Sequence, residues 1–481
     1  MASVLVVGGG LAGLLAGRRL ADAGWQVTLL EASDHLGGKA DAIDTPPHGM
    51  IEHGYHVFPA WYTNVRELLT DIGIELVDFD RYHYVEAGEF PARVTVRGPS
   101  GVGPLLHNVF RGLMPWYQTM LFGYSVIDML SRPLSEAALL DRISQVGLMR
   151  AAWYVTDAVA ELNQENVLKA SAIPAYDMSA MTAKKIAAYW VKQANPFLSV
   201  LVGDLQTEFI DPIAQMARDA GVNVELGVSV TTVEATGNRV DRVVDASGTT
   251  HHADAFLITT PLEVTRDLIG DDLLRADPNL GNIHHLEAEP MSALHVLLDY
   301  KMDDLPREHV FFHGGRYGLS FIDNSQIWPD HDKTYLSFIS SNFSPLSAAS
   351  EAVATELLLD EIDDYLPIDR ARATTLLNTN ISEPLFINTI GAWPNRPSVA
   401  CGLENLFFAG DWVRNEIDLA CMEGAVASAY DAVAAITGDA NQGAKTPPTY
   451  PRGLFVALRL ALIPAILPTF AIAKVMEWFK R

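Results

Sequence analysis

A glycine-rich loop between a short apolar strand and a helix is the feature that most constrains the fold of this chain. Residues 4–7 (Val-Leu-Val-Val) are typical of a buried parallel strand, and they lead directly into Gly-Gly-Gly-Leu-Ala-Gly. Gly8, Gly10 and Gly13 permit a tight turn, a close approach of a pyrophosphate to the backbone, and close packing of helix on strand. The helix predicted over 14–23 would then offer free N–H groups to phosphate oxygens.

An acidic residue follows the second predicted strand, 26–30. The carboxylate of Glu31 would accept hydrogen bonds from both hydroxyls of a ribose and would repel a 2′-phosphate. Strand, loop, helix and acid together predict a dinucleotide site in a Rossmann-type domain rather than a plain glycine-rich turn. NAD and FAD share this pattern. The step Gly37-Gly38-Lys39 would bring a second backbone loop and a cation towards the phosphates or the flavin, and it favours FAD.

A second cofactor element lies near the C-terminus. The strand-like run 405–408 leads into Ala-Gly410-Asp411, and a helix is predicted from about Met422 to about 436. Asp411 can hydrogen-bond a ribityl chain. The helix N-terminus near Met422 can face the N1/O2 edge of an isoalloxazine, where reduced flavin carries negative charge. We therefore expect non-covalently bound FAD.

These segments, in this order, resemble the flavin-containing amine oxidase superfamily. Within it they are most similar to the plant- and cyanobacterial-type phytoene and ζ-carotene desaturases, and the resemblance covers most of the chain. The Gly-x-His-x-Phe segment at 54–58 and the helix start at 422–426 resemble the desaturase branch in particular. The motifs that carry the resemblance are 8–13, Glu31 with 37–39, 52–58 with Tyr62 and Asn64, 202–204 with 209–213, 224–230, 254–261, and 410–411 with 422–424.

The resemblance implies which residues hold FAD. The glycine loop, Glu31 and Lys39 would hold the ADP half, and Val230 would contact the adenine side through its backbone. Gly54, Asp411 and Met422 would lie beside the flavin. No catalytic side chain is implied, and no metal site is predicted. The cofactor-binding residues predicted are Gly8, Gly10, Leu11, Ala12, Gly13, Glu31, Ala32, Gly38, Lys39, Gly54, His56, Val230, Gly410, Asp411 and Met422.

The sequence departs from the desaturase pattern at two places. Ser229 stands where plant-type phytoene desaturases tend to carry a basic residue near the cofactor. The loop between Asp411 and Met422 looks about one residue longer and contains a charged stretch at 414–418. Substrate and electron acceptor therefore stay open.

The cofactor segments are far apart, so we predict an α/β fold with a split domain. Residues 1–80, 200–262 and 400–437 would form the Rossmann-type FAD-binding domain, and 81–199 with 263–399 an α+β substrate domain. The aromatic-rich segment 105–130 is either a core helix pair or the wall of a long apolar tunnel. Further predicted elements are strands at 224–233, 256–259, 293–298 and 334–339, and helices at 151–164 and 350–365.

Composition and charge exclude several function classes. The 481 residues include 34 Lys and Arg against 59 Asp and Glu, a formal charge of −25, so no nucleic-acid partner is expected. Two cysteines, Cys401 and Cys421, and scattered histidines argue against a disulfide framework or a zinc site. No signal-peptide pattern precedes the first strand, so the body is expected in the cytoplasm.

The C-terminal region is apolar and basic. After a linker at 438–453, residues 454–481 form a predicted membrane-associating tail, and 441–481 hold six basic residues against one acidic. Arg459 breaks the apolar run. Pro464 and Pro468 are expected to interrupt any straight helix, which leaves fewer than the roughly 20 residues that a span needs. A shallow anchor at the cytoplasmic face of a membrane is favoured, and the alternative is a tail folded back on the body.

Desaturation of a long isoprenoid or carotenoid, by hydride transfer to flavin N5, accounts for these features together. The partners would be an apolar lipid-like substrate, a membrane surface, and a quinone or oxygen as possible electron acceptor. Other chemistry of the superfamily stays open: a squalene-type dehydroxylase, a polyene isomerase or an amine oxidase. A membrane-associated assembly factor that holds a flavin without turnover is a further alternative of another class.

Overall fold

The computed structural model of the protein describes residues 1–133, 137–329 and 331–480. The strands in chain order are β1 Ser3–Val7, β2 Gln26–Leu30, β3 Ala42–Asp44, β4 Met50–Glu52, β5 Leu76–Phe79, β6 Arg81–Val85, β7 Val94–Arg97, β8 Leu198–Leu201, β9 Asn223–Glu225, β10 Val230–Thr236, β11 Arg239–Asp245, β12 Thr250–His251, β13 Ala255–Ile258, β14 Glu287–Glu289, β15 Ser292–Leu298, β16 Val310–Phe312, β17 Leu319–Asp323, β18 Tyr335–Ser340, β19 Ala373–Thr379, β20 Leu385–Ile387 and β21 Leu406–Phe408. The α-helices are α1 Leu11–Asp22, α2 Thr63–Asp71, α3 Val102–Arg111, α4 Trp116–Ser131, α5 Ala137–Leu140, α6 Gln145–Arg150, α7 Asp157–Ser171, α8 Ala180–Lys192, α9 Asp211–Asp219, α10 Leu262–Leu268, α11 Asp271–Ala276, α12 Glu351–Tyr365, α13 Met422–Thr437 and α14 Arg452–Lys480.

A parallel sheet of five strands, in the order β21–β13–β1–β2–β9, brings distant segments together. Side chains of β1 alternate between two cores: Val4 and Val6 pack with α1, α9 and α13, whereas Leu5 and Val7 pack with β10 and α10 on the other face. Val7 pairs with Leu30 and with Ile258, and Ile258 pairs with Phe408. The residues that follow these four strands therefore meet at one sheet edge.

A seven-stranded sheet, β19–β15–β18–β17–β16–β6–β7, forms the other half. Its neighbours are antiparallel except β16 and β6. Phe312, Phe321 and Phe338 on these strands pack with α12 in a core of their own. The sheet thus joins strands from 81–97 with strands from 292–379, while the predicted domain boundaries themselves stay a prediction.

Two predicted elements have other bounds in the structure. The single strand predicted at 224–233 is wrong, because Gly227 turns the chain with a φ of +71° and separates β9 from β10, which lie in different sheets. The helix predicted at 151–164 is wrong at its start, because residues 151–155 precede it. It begins at Asp157, where the Thr156 hydroxyl accepts the N–H of Val159 at 3.3 Å.

The aromatic-rich segment 105–130 forms two helices of different burial. In α4, Leu121 and Tyr124 are buried, whereas α3 buries none of its residues. Leu105 is 49% exposed and Phe110 is 71% exposed. The prediction of a core helix pair is therefore wrong for α3, because its apolar side chains are not covered by the body. The tunnel-wall alternative stays a prediction.

The C-terminal tail is one helix, α14, of 29 residues, with Pro464 and Pro468 inside it. Both predictions about its shape are wrong: the prolines do not end the helix, and by length and composition it is long and apolar enough to cross a membrane. Ile466 and Ala473 pack with Tyr117 and other side chains of α4. Packing along α4 offsets the hydrogen bonds that the prolines remove.

Polar contacts also hold α14 on α4. Arg459 Nε lies 2.8 Å from a carboxylate oxygen of the buried Asp128, and Arg452 donates to the carbonyl of Ser131 at 2.7 Å. The opposite side of α14 stays apolar and exposed, with Leu460 at 61% and Leu467 at 54%. One face of the tail is therefore folded back on the body, and the other is uncovered.

Candidate functional site

The glycine loop lies where β1 ends at the sheet edge. Gly8 has a φ of +112°, and a Cβ on Gly13 would lie 2.0 Å from the Gly8 carbonyl oxygen. Only glycine permits loop and helix to approach so closely. Gly10 is the N-cap of α1 and no side chain caps this helix, so its first N–H groups stay available to an anion. Leu11 and Ala12 begin the helix and are buried.

Glu31 lies at the same edge, directly after β2. Its Oε2 accepts the N–H of Gly9 at 2.6 Å, and its Oε1 accepts the N–H of Ser33 at 2.8 Å. Each oxygen keeps a lone pair, so the carboxylate can still accept from two ribose hydroxyls.

Ala32 and Val230 lie close to Glu31. Ala32 is exposed directly after Glu31. The Val228 N–H donates to the Glu31 carbonyl at 2.8 Å, which places Val230, the first residue of β10, two residues from this contact. The structure thus brings the residue predicted to contact the adenine close to the residue predicted to hold the ribose.

The second glycine loop lies against the first. The Gly37 N–H donates to a carbonyl of the first loop at 3.0 Å, and a Cβ on the exposed Gly38 would lie 3.3 Å from the Gly10 Cα. Two backbone segments without side chains thus form a cradle, and side chains at these glycine positions would fill it. The ammonium of Lys39 donates to the Pro384 carbonyl at 3.0 Å, just before β20, and its predicted role at the ADP half stays a prediction.

Gly54 lies against the seven-stranded sheet, and His56 is hydrogen-bonded to Gly54. A Cβ on Gly54 would be 3.5 Å from side-chain atoms of Ala293 and Ile339, on β15 and β18 of the seven-stranded sheet. His56 Nδ1 lies 2.8 Å from the Gly54 carbonyl and therefore donates to it. Burial lowers the pKa of His56 to about 4, so its ring is neutral at neutral pH and Nε2 is an acceptor.

Glu52 is a buried acid for which the sequence predicted no role of its own. It was noted only as part of the motif at 52–58. Its Oε1 accepts the Leu205 N–H at 2.9 Å, and burial raises the pKa of its carboxyl to about 8. With Tyr55 and His56 it lines a cavity of about 20 Å³, room for about one water. At neutral pH this corner therefore holds a protonated acid and a neutral imidazole.

The raised pKa of Glu52 predicts a pH-dependent stability. Between its unfolded pKa near 4.5 and its folded pKa of about 8, the native state binds the additional proton, so the free energy of unfolding should fall as pH rises. The slope from this group is at most about 1.4 kcal/mol per pH unit. Denaturant unfolding between pH 6.5 and 8 should show this decline, and Glu52→Gln should remove it; below pH 6.5 the buried histidines, whose pKa is lowered, act with the opposite sign. Glu75→Gln, at an exposed position, is the control. An equal decline in Glu52→Gln would contradict the assignment.

Gly410 and Asp411 follow β21 at the sheet edge. The Gly410 N–H donates to Ser428 Oγ at 2.8 Å, and that hydroxyl donates to the Gly410 carbonyl at 2.9 Å, which fixes this turn on α13. Met422 is the first residue of α13 and is buried. Within the described part of the chain the Asp411 carboxylate accepts no hydrogen bond, so it is a free acceptor.

The long loop between Asp411 and Met422 is held by a buried ion pair that was not predicted. The fully buried guanidinium of Arg396 lies 2.6 Å from Asp418 Oδ1 and donates to the carbonyls of Trp412 at 2.9 Å and Val413 at 2.6 Å. The Thr182 hydroxyl donates to the other oxygen of Asp418 at 3.0 Å. The charged stretch in this loop thus has a structural role at Asp418.

The residues present fit FAD. A bare helix N-terminus and a glycine cradle suit a pyrophosphate, Glu31 suits a ribose, and the unbonded Asp411 carboxylate suits a ribityl chain. They lie at one sheet edge, in the order in which such a molecule presents these groups.

Asp411→Ala should weaken FAD binding roughly 10- to 100-fold, because a charged acceptor of hydrogen bonds is lost, while α13 still packs through Val426 and Ala429. Titration of deflavinated protein with FAD measures the affinity, and the midpoint potential is a second readout. Asp411→Asn keeps one acceptor oxygen, so its FAD affinity should lie between those of the wild type and Asp411→Ala. Unchanged affinity and potential in Asp411→Ala would remove this residue from the site.

Comparisons with known proteins agree with this geometry. The family model described as flavin containing amine oxidoreductase matches residues 11–437. The chain is 24% identical over 465 residues to 15-cis-phytoene desaturase of Solanum lycopersicum, covering 91% of this chain and 78% of that protein. It is 23% identical over 460 residues to the same enzyme of Synechococcus elongatus, covering 88% and 94%. Putrescine oxidase bound to putrescine superposes with a TM-score of 0.71 at 17% identity, covering 91% and 99%. That likeness concerns the fold, and it confirms the predicted α/β class.

Proposed function

Because the chain belongs to the flavin containing amine oxidoreductase family, we propose that it is an FAD-dependent desaturase of a long apolar isoprenoid of the carotenoid type. The predicted FAD cofactor and oxidoreductase class are confirmed. The observation that carries the narrower proposal is the similarity to phytoene desaturases along nearly the whole chain, substrate half included.

FAD, when bound, supplies an acceptor for a hydride. The chain's own part is to hold and orient it: the α1 N-terminus with Gly10 and Gly38 at the pyrophosphate, Glu31 at the ribose, and Asp411 at the ribityl chain. Gly54 and Met422 would lie beside the ring system. Gly54 has no side chain, so nothing from this position fills the space next to the seven-stranded sheet.

The titration states next to Gly54 favour an apolar substrate. Glu52 is protonated and His56 is neutral at neutral pH, so neither brings a charge to this corner. A cationic amine would find no opposite charge on these two groups, so the ionic attraction that would favour an amine over a hydrocarbon is missing here. Desaturation then needs a dry site and an oriented carbon–hydrogen bond rather than an ionised side chain.

Anaerobic flavin bleaching tests the proposal. Holoenzyme in detergent micelles should lose its oxidised flavin absorbance on addition of 15-cis-phytoene or ζ-carotene, and the product should be lighter by two hydrogens per turnover. Putrescine is the comparison substrate. Bleaching by putrescine alone would favour the amine oxidase alternative. Reduction by dithionite but by no substrate would favour the assembly factor without turnover. Reoxidation by a quinone compared with oxygen then identifies the acceptor.

The exposed face of α14 is the proposed membrane contact, at the cytoplasmic face. Replacing Leu460, Leu467 and Val475 by glutamine should move the protein from the membrane to the soluble fraction, because about 25 cal/mol is lost per Å² of apolar surface no longer buried in lipid. The face that packs on α4 is untouched, so FAD content should stay normal. Val353→Gln with Leu357→Gln, on the exposed face of α12, is the matched control.

High salt and alkaline carbonate separate the two modes of membrane contact. An in-plane helix with basic residues should detach in carbonate and weaken in salt, whereas a spanning helix should resist both. Full-length protein that stays soluble without detergent would contradict the membrane proposal.

A further inference from the structure

A cavity of about 440 Å³ lies at the N-terminal ends of the two exposed apolar helices. Ser100, in its wall, directly precedes Gly101, the N-cap of α3, and Tyr450, also in its wall, lies two residues before α14 begins. Both helices contact α4 and so belong to one layer. The volume falls in the range of small-molecule sites.

The lining of this cavity is cationic although the whole chain is strongly acidic. Lys192 and Arg66 face it, and none of the described residues that line it is an Asp or a Glu. Lys192 lies 4.1 Å above the ring of Tyr450 and forms no ion pair in the part of the chain that the structure describes. Arg66 is held by the Phe58 carbonyl at 2.9 Å and lies 3.5 Å from Asp78.

Two further features of the wall suit a phosphate ester that carries hydroxyl groups. No side chain caps α3, so its first N–H groups stay open beside Ser100. The side-chain oxygen of Gln193 is buried and has no hydrogen-bond partner among the described residues. An anion in the cavity would pair with the cations and accept from the helix terminus, and rotation of the Gln193 side chain would bring its unpaired oxygen to a hydroxyl donor.

We propose that this cavity binds the phosphate-bearing headgroup of an anionic membrane lipid, whose acyl chains lie along the exposed faces of α3 and α14. The site rests on the proposed membrane association of α14 and deepens it, since it names the lipid class that the surface selects. A headgroup fits better than a free phosphate because two helices with exposed apolar side chains begin at the cavity, and acyl chains would cover those side chains.

Vesicle binding of the full-length holoenzyme tests the site. The wild type should prefer vesicles with phosphatidylglycerol over pure phosphatidylcholine vesicles. Lys192→Gln should reduce this preference by about fivefold, the contribution expected of one lysine at an anionic headgroup. Lys333→Gln, at an exposed lysine of the body, should leave it unchanged.

Ser100→Asp provides a second variant whose fold is not at risk. A carboxylate just before the α3 N-terminus favours the helix but places a negative charge in the cavity wall, so anionic-lipid preference should fall at least as much as in Lys192→Gln. Melting temperature and FAD content verify folding in each variant.

Three results would overturn the proposal. Equal losses in Lys192→Gln and Lys333→Gln would show only general charge attraction, and an unchanged preference in both Lys192→Gln and Ser100→Asp would exclude the cavity. Binding of glycerol phosphate that depends on Lys192, without any effect on vesicle preference, would assign the cavity to a soluble phosphate. Flavin bleaching in micelles, measured on wild type, decides the desaturase proposal independently of all three.

Discussion

Gly13→Ala should abolish FAD binding and destabilise the protein by at least about 3 kcal/mol. The added Cβ would lie 2.0 Å from the Gly8 carbonyl oxygen and 2.8 Å from the Thr259 hydroxyl. The first of these is backbone at the sheet edge, so no rotamer change relieves the clash, and the loop and α1 must separate. That movement opens the turn that holds the pyrophosphate. FAD released on denaturation and the midpoint of denaturant unfolding measure the two effects.

Gly17→Ala, one turn further along α1, is the matched control. A Cβ there would meet only side-chain carbons of Val27 and Val222, at 3.6 Å or more, which is ordinary contact. Alanine also favours a helix interior over glycine by up to about 1 kcal/mol. We therefore expect Gly17→Ala to keep its FAD and to be as stable as the wild type or slightly more so. Retention of FAD in both variants would show that close packing at Gly13 is not required.

Arg396→Met should cost about 3–5 kcal/mol of folding free energy, because it leaves Asp418 buried without its cation. Arg396 also donates to the Asp411 carbonyl at 3.2 Å, so the loop beside the flavin should loosen and FAD affinity should fall. Unfolding free energy and FAD titration are the measurements. Loss of stability without loss of FAD would show that the loop holds its shape without this pair.

The partner and neighbour of Arg396 supply the controls. Asp418→Asn leaves the guanidinium unpaired and should cost a similar amount, and the double variant Arg396→Met with Asp418→Asn should be more stable than the sum of the two single effects. Arg414→Met removes bonds to the carbonyls of Arg396 at 2.9 Å and Pro394 at 3.3 Å from a partly exposed side chain, and should cost only about 1 kcal/mol. Strict additivity in the double variant would contradict the coupling.

The nucleotide half of the fold could be predicted because its chemistry is local. The glycine turn leads directly into the helix, and the acid follows at the end of the next strand. All three signals fall within the first 31 residues, and parallel strands then bring their ends to one edge. The Arg396–Asp418 pair could not be predicted. Nothing near Arg396 in the sequence indicates that its side chain turns inward to a loop 22 positions later.

The errors in the tail and in β9–β10 share a physical cause. Proline argues against a helix interior only while the helix is considered alone, and the apolar face of α4 reverses that preference for α14. The run 224–233 is rich in strand-forming Val and Thr. The turn at Gly227 divides it into two strands because each strand pairs in a different sheet. The secondary-structure preference of the sequence was therefore overridden at these two places by packing and pairing with neighbouring elements.

The strand order of the parallel sheet has a consequence for synthesis on the ribosome. Chain growth delivers β1, β2, β9 and β13 first, but β21, which covers the open edge of β13, emerges only after the whole of 263–399 has been made. Asp411 and α13 follow still later. A nascent chain therefore carries an unpaired sheet edge while the residues between β13 and β21 are made, and a truncated product lacks one side of the flavin cradle. Complete flavin binding therefore requires a chain that extends through α13, and cofactor content reports whether β21, Asp411 and α13 are in place.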